Sequence, residues 1–158
     1  MVTVEVDVCV RVTRVGIVVI THHLEVPNLA YARAECARFE GIAEELGRPA
    51  AILMLPDRVL PPASREVIDV YRESAERTSI AAWAAVVGGV MGFAGSIATS
   101  IAVRVFARQA VPMRVFRQLP SAVEWLAECT DLEATPAEVL AAAEALRVGS
   151  PSMRDVGS

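Results

Sequence analysis

Residues 78–103 read TSIAAWAAVVGGVMGFAGSIATSIAV, an unbroken stretch without a charged side chain. Length and apolarity alone would suit a transmembrane helix, which needs about 20 apolar residues. The internal pattern argues against one. Ile80 to Val87 is compatible with a β-strand, Gly88-Gly89 interrupts it, and a second segment restarts near Gly92. Paired glycines in the middle of a continuous helix would be unfavourable. The stretch therefore reads as a strand buried on both faces, a glycine turn and a helix from Gly92 to Arg108. That helix carries Ile97, Ile101 and Val105 on one side. On the other, Gly92, Ser96 and Ser100 recur four apart as a small face, and Arg104 and Arg108 occupy the last turns, where a cation is favourable. These five residues form the candidate face for a partner or ligand.

Upstream, Val4, Val6, Val8, Val10 and Val12 alternate with Glu5, Asp7, Cys9 and Arg11. Period two means a strand with one buried face. The run Val15 to Ile20 follows closely enough to form an antiparallel hairpin. Its turn is expected at Thr13-Arg14 or in a longer loop that takes in Gly16; the tight turn would put His22 opposite Glu5 as a surface pair. Pro27 and Asn28 open a helix whose inward residues step through Leu29, Ala32, Cys36, Phe39, Ala43 and Leu46 to a stop at Gly47. Ala50 to Leu55 is a short strand. Ser64 caps a second helix that buries Val67, Ile68, Tyr71 and Ala75 and sets Glu73 four residues before Arg77.

Downstream, Met113 to Phe116 is a last strand. Ser121 with Glu124 forms one expected capping box, leading a helix with Trp125, Leu126 and Cys129 inward. Thr135 with Glu138 forms another, with Pro136 at the first helical position. The predicted fold is α/β, a single-layer mixed sheet of about five strands: an N-terminal antiparallel hairpin, then mostly parallel strands joined by crossover helices. One domain covers 1–148, with 135–147 as an additional C-terminal helix and 149–158 as a disordered tail.

Composition narrows the function. The chain has 158 residues, 54% hydrophobic, with a net charge of −4. A mild acidic balance gives no reason to expect nucleic acid. All fifteen basic residues are Arg, the mark of a GC-rich genome. Cys9, Cys36 and Cys129 lack metal or redox spacing and read as buried thiols in a reducing compartment, so the protein is expected to be cytoplasmic. Gly88, Gly89, Gly92 and Gly95 fail the dinucleotide fingerprint, and no Gly-Lys-Ser or Gly-Lys-Thr follows them, which excludes a nucleotide P-loop. Adjacent His22 and His23 point to opposite faces of an extended segment and make a poor joint metal site. No cofactor, metal or catalytic set is expected, and the protein is read as no enzyme. From Thr78 to Val123 there is no acid, while Arg104, Arg108, Arg114 and Arg117 are present; this asymmetry would suit an acidic partner, a phosphorylated ligand or an anionic membrane surface.

Two segments support a family resemblance. VPMRVFRQLPSAVEWLAE (residues 111–128) is similar to a short final strand ending in Phe, followed by a loop and a Trp-Leu helix, and AAWAAVVGG (81–89) takes the place of a penultimate strand. With the order of elements from Val4 to Glu128, the chain resembles the SpoIIAA-like family of the STAS/SEC14-type fold. The resemblance implies a non-enzymatic regulatory module that binds a protein partner. Signalling STAS domains carry a regulatory Ser where the third strand meets the second helix. Here MLPDRVLPPASREV (54–67) puts Ser64 in that place without the surrounding Asp-Ser-Ser-Gly-like motif. SEC14-type relatives enclose apolar ligands, which offers a second expectation: a lipid or small apolar-ligand carrier, its pocket between the 92–108 helix and the sheet and Arg104 or Arg108 at the head group. A homodimer through Ser96 and Ser100, and a membrane-associated adaptor using 78–103, are the remaining readings; a membrane span is disfavoured.

Overall fold

In the computed structural model, which describes residues 5–6, 10–56, 63–87 and 111–148, three antiparallel strands open the chain: β1 (Glu5–Val6), β2 (Val10–Val15) and β3 (Val18–His23). Glu5 lies opposite Val12 and Val15 opposite Val18. Val6 and Val10 thus belong to different strands, and the hairpin turns at Gly16-Ile17, not at Thr13-Arg14. Glycine decides this. Gly16 has φ +57°, which the favoured two-residue hairpin loops require at their first position and which Thr or Arg adopts only under strain. The register moves with the turn, so His22 faces Arg11 across the ladder, not Glu5. Both side chains are buried, which replaces the expected surface pair with an interior one.

From β3 onward strands and helices alternate. Asn28 caps α1 (Leu29–Leu46) by accepting the Tyr31 N–H at 2.9 Å, and Gly47 ends it at φ +61°. There follow β4 (Ala50–Pro56), α2 (Arg65–Arg77), β5 (Ile80–Val86), β6 (Met113–Phe116), α3 (Leu119–Cys129) and α4 (Pro136–Val148). The described strands make one sheet in the order β1-β2-β3-β4-β5-β6, with β3 through β6 parallel. This is the mixed α/β sheet expected from the sequence, with the short β1 as an additional edge strand. Residues 88–110, which include the expected glycine turn and the 92–108 helix, lie outside the described residues, as do Cys9 and the tail 149–158. Within the uncharged stretch, Ile80 to Val86 is strand. Among the described residues no helix is long and apolar enough to cross a membrane.

Two crossovers of one hand advancing in one direction put α1 and α2 on the same face of the sheet. The helices that follow β6 cover the other. Alternation along the strands sorts the core between them. Ile20, Leu53, Leu55, Ala82 and Ala84 pack with Val123 and Leu126 of α3 and Val139 and Leu146 of α4. The intervening positions Met54, Trp83 and Ala85 pack with Val67, Ile68 and Ala75 of α2 and Ala32 of α1. The small Ala82 and Ala84 of β5 face α3, while Trp83 packs on the α2 side. The hairpin tip reaches under the α3–α4 connection, where the Ile17 N–H donates to the Leu132 carbonyl at 3.0 Å.

Three local expectations change. The helix α3 starts at Leu119 behind Gln118, which makes no side-chain cap, so Ser121 lies inside the first turn and forms no box with Glu124. Pro120, preorganised for a helix start, sets this earlier boundary. Cys129 is exposed, not inward, because it falls on the last residue of the helix. Arg77 pairs with Glu40 of α1 at 2.9 Å, which ties the two helices together. The Thr135–Glu138 box does form: the Thr135 N–H donates to Glu138 at 2.8 Å and the Glu138 N–H to Thr135 Oγ1 at 3.2 Å.

Candidate functional site

The site begins with the last residue of β3. Because successive strand residues face opposite ways, His23 projects toward α1 while His22 shares the other face with Arg11. Arg11 Nη1 donates to the Leu146 carbonyl of α4 at 3.3 Å, so that side is a structural clasp of sheet and helix. On the α1 side, His23 Nε2 meets Glu35 Oε1 at 2.9 Å, and Tyr71 of α2 donates its hydroxyl to Glu35 Oε2 at 2.5 Å. One carboxylate thus joins a strand and two helices.

A carboxylate only accepts hydrogen bonds. Its partner nitrogen Nε2 must therefore carry the proton. His23 is only 2% exposed, and its Nδ1 is buried with no hydrogen-bond partner among the described residues. Burial raises the carboxyl pKa of Glu35, but it is outweighed by the positive charge His23 carries when protonated, by the hydrogen bonds from His23 and Tyr71 and by the charge of Arg38. The result lies below the ordinary value of 4.5. Glu35 is a carboxylate at neutral pH.

These residues border a cavity of about 80 Å³ between the sheet and the helices α1 and α2. Its wall is mainly apolar, with Ile42, Ile52, Met54 and Trp83 among the lining residues, and Thr21, His23, Glu35, Arg38, Tyr71 and Ser74 are its polar members. Ser74 donates to Glu40 at 2.7 Å, and this bond, helped by Arg77 and opposed by burial, holds the Glu40 carboxyl below its ordinary value. Cys36 lines both this cavity and the groove between α1 and α2. Burial pushes its thiol up to about 11, far from the thiolate needed for nucleophilic or metal chemistry.

Of the residues singled out from the sequence, Gly92, Ser96, Ser100, Arg104 and Arg108 lie outside the described residues, and with them the pocket expected beside the 92–108 helix. Ser64 is exposed and caps α2, its hydroxyl accepting the Val67 N–H at 3.3 Å. The motifs and spacings of the sequence do not single out the Glu35 hub, although a signal for it is present. Glu35 adjoins Cys36 and falls between Ala32 and Phe39, at the three- and four-residue steps of the inward stripe. A carboxylate on such a stripe needs a buried partner. Among the described residues no group of three or more His, Cys, Asp or Glu side chains could hold a metal ion. No family model, curated protein or solved structure matches the chain.

Proposed function

We propose that this chain is a binding module that holds a small, mainly apolar molecule in the cavity between the sheet and the helices α1 and α2. The observation that carries the reading is the His23 side chain, buried at the cavity wall with Nδ1 unpartnered among the described residues. Buried polar atoms are almost always satisfied, so an orphan beside an apolar cavity marks a place for a ligand atom. Binding is favoured over catalysis because Cys36, a nucleophile-type side chain at this wall, is held protonated. The cavity is smaller than the roughly 150 Å³ that encloses a benzene molecule. It fits a compact molecule better than a lipid tail. The element order supports a place among SpoIIAA-like modules, and the free thiols of Cys36 and Cys129 support a reducing compartment such as the cytoplasm.

Native mass spectrometry of protein purified from its own host tests this. A small co-purifying molecule, lost when Ala75→Phe fills the cavity, is the expected result. A clean apo mass from that source overturns the reading.

A second reading, docking of a protein partner, has its own support. The Phe116 and Trp125 rings meet at a centroid distance of 5.5 Å, and the Arg114 guanidinium lies 5.3 Å from the Phe116 centroid. Aromatic and Arg side chains together are typical anchors of interfaces. A pull-down in which Trp125→Ala loses a partner retained by the unmodified chain would favour it.

A further inference from the structure

The binding reading leaves the chemistry of the ligand open, and the hydrogen bonds around Glu35 constrain it. Both carboxylate oxygens are occupied, Oε1 by His23 and Oε2 by Tyr71. Because Oε1 can only accept, the proton of the neutral imidazole is fixed on Nε2, and Nδ1 is left as a lone-pair acceptor.

Resting on the binding reading above, we propose that the cavity selects a compact, uncharged, largely apolar molecule carrying one N–H or O–H donor, which it presents to His23 Nδ1. Glu35 and Tyr71 are positioning residues in this arrangement. They hold the ring's tautomer and orientation from α1 and α2 while the ligand contacts the ring itself. The apolar lining from Ile42, Ile52 and Met54 suits the apolar body of the ligand. A ligand lacking the donor would leave Nδ1 unsatisfied, and an anion would place its charge against a lone pair and near the Glu35 carboxylate, on which the charge of Arg38, the cation at this wall, already acts.

Pyrrole and furan are rings of nearly the same size, and only pyrrole has an N–H. The experiment titrates each, and separately sodium acetate, into the full-length ¹⁵N-labelled protein near pH 8. Two-bond ¹H–¹⁵N spectra read the imidazole nitrogens, and methyl spectra read the cavity wall. The expected result is saturable pyrrole binding that moves the His23 Nδ1 signal, with furan about tenfold weaker or worse and acetate without effect. Equal binding of pyrrole and furan at the cavity overturns the donor requirement and leaves the binding reading intact. Tighter binding of acetate also overturns it, since the ring would then be acting as a donor. If neither ring perturbs the cavity, the binding reading falls and this inference with it. His23→Leu should abolish the preference for pyrrole, and the comparison on the unmodified chain decides the matter whether or not that variant folds.

Discussion

Replacing Gly16 and Gly47 by alanine, one at a time, separates two costs that a glycine can conceal. Both have nearly the same backbone, φ +57° and +61°. Each variant therefore bears a similar penalty for a β-carbon in the left-handed region, about 1 kcal/mol. Their surroundings differ. A β-carbon at Gly47 meets nothing within 4 Å, whereas at Gly16 it would lie 2.1 Å from the Leu132 carbonyl oxygen and 2.9 Å from the Glu133 carbonyl. Those atoms are backbone and cannot rotate away. The α3–α4 connection must retreat, which breaks the hydrogen bond from Ile17 to Leu132, worth about 1 kcal/mol, and unseats the buried Leu132 side chain at a further cost of about 2 kcal/mol. Gly16→Ala should thus lose about 4 kcal/mol and Gly47→Ala about 1 kcal/mol. Urea unfolding followed by far-ultraviolet circular dichroism measures both, with the slope expected to stay constant. In a chain of this size the difference corresponds to a Tm gap of roughly 6–12 °C. Two variants within about 1 kcal/mol of each other would refute the close approach of the hairpin tip to the loop.

The Glu35 hub should be visible in both stability and pH dependence. Glu35→Ala strands the His23 N–H in the interior and removes the carboxylate that Tyr71 donates to, and should cost about 3 kcal/mol, while Tyr71→Phe loses one bond to a carboxylate and should cost about 1.5 kcal/mol, both by urea titration. The folded pKa of Glu35 lies below its unfolded value, so its contribution is fully present above about pH 4.5 and is lost as pH falls through the depressed folded value. Glu35→Gln should flatten the acid limb of the stability profile; an unchanged limb would argue against the hub. The cysteines should differ in reactivity. With its thiol near 11, Cys36 is about one part in a thousand thiolate at pH 8, so peptide mapping after brief iodoacetamide treatment should find Cys129 alkylated well ahead of Cys36.

Where one residue fixes the local backbone, the sequence is readable. Asn28 and Gly47 bracket α1, the Thr135–Glu138 box starts α4, and the uninterrupted apolar run of β5 identifies a strand covered on both faces. The hairpin register is less accessible, because alternating valines permit several pairings. The choice among them depends on Gly16, whose fit against Leu132 is a contact across more than a hundred residues. Similarly, the boundary of α3 is obscured by two competing signals, the Ser121–Glu124 spacing and Pro120. The candidate site is the least legible. Its three polar residues come from β3, α1 and α2, and no spacing in the sequence reveals that a strand residue, His23, ends beside a helix residue, Glu35.

The clasp of the hairpin by the C-terminal helices also bears on how the chain is made. Ile17, Val18 and Ile20 belong to one cluster with Leu132, Val139 and Leu146. During synthesis at about 5–20 residues per second, those strand residues emerge roughly 6–24 s before the helix that covers them. Throughout that interval the part of this face that the last helix covers is bare apolar surface, open to chaperones or to other nascent chains. A transcript ending before Pro136 would make that exposure permanent, so the last helix serves the newly made protein as the lid on its earliest strands.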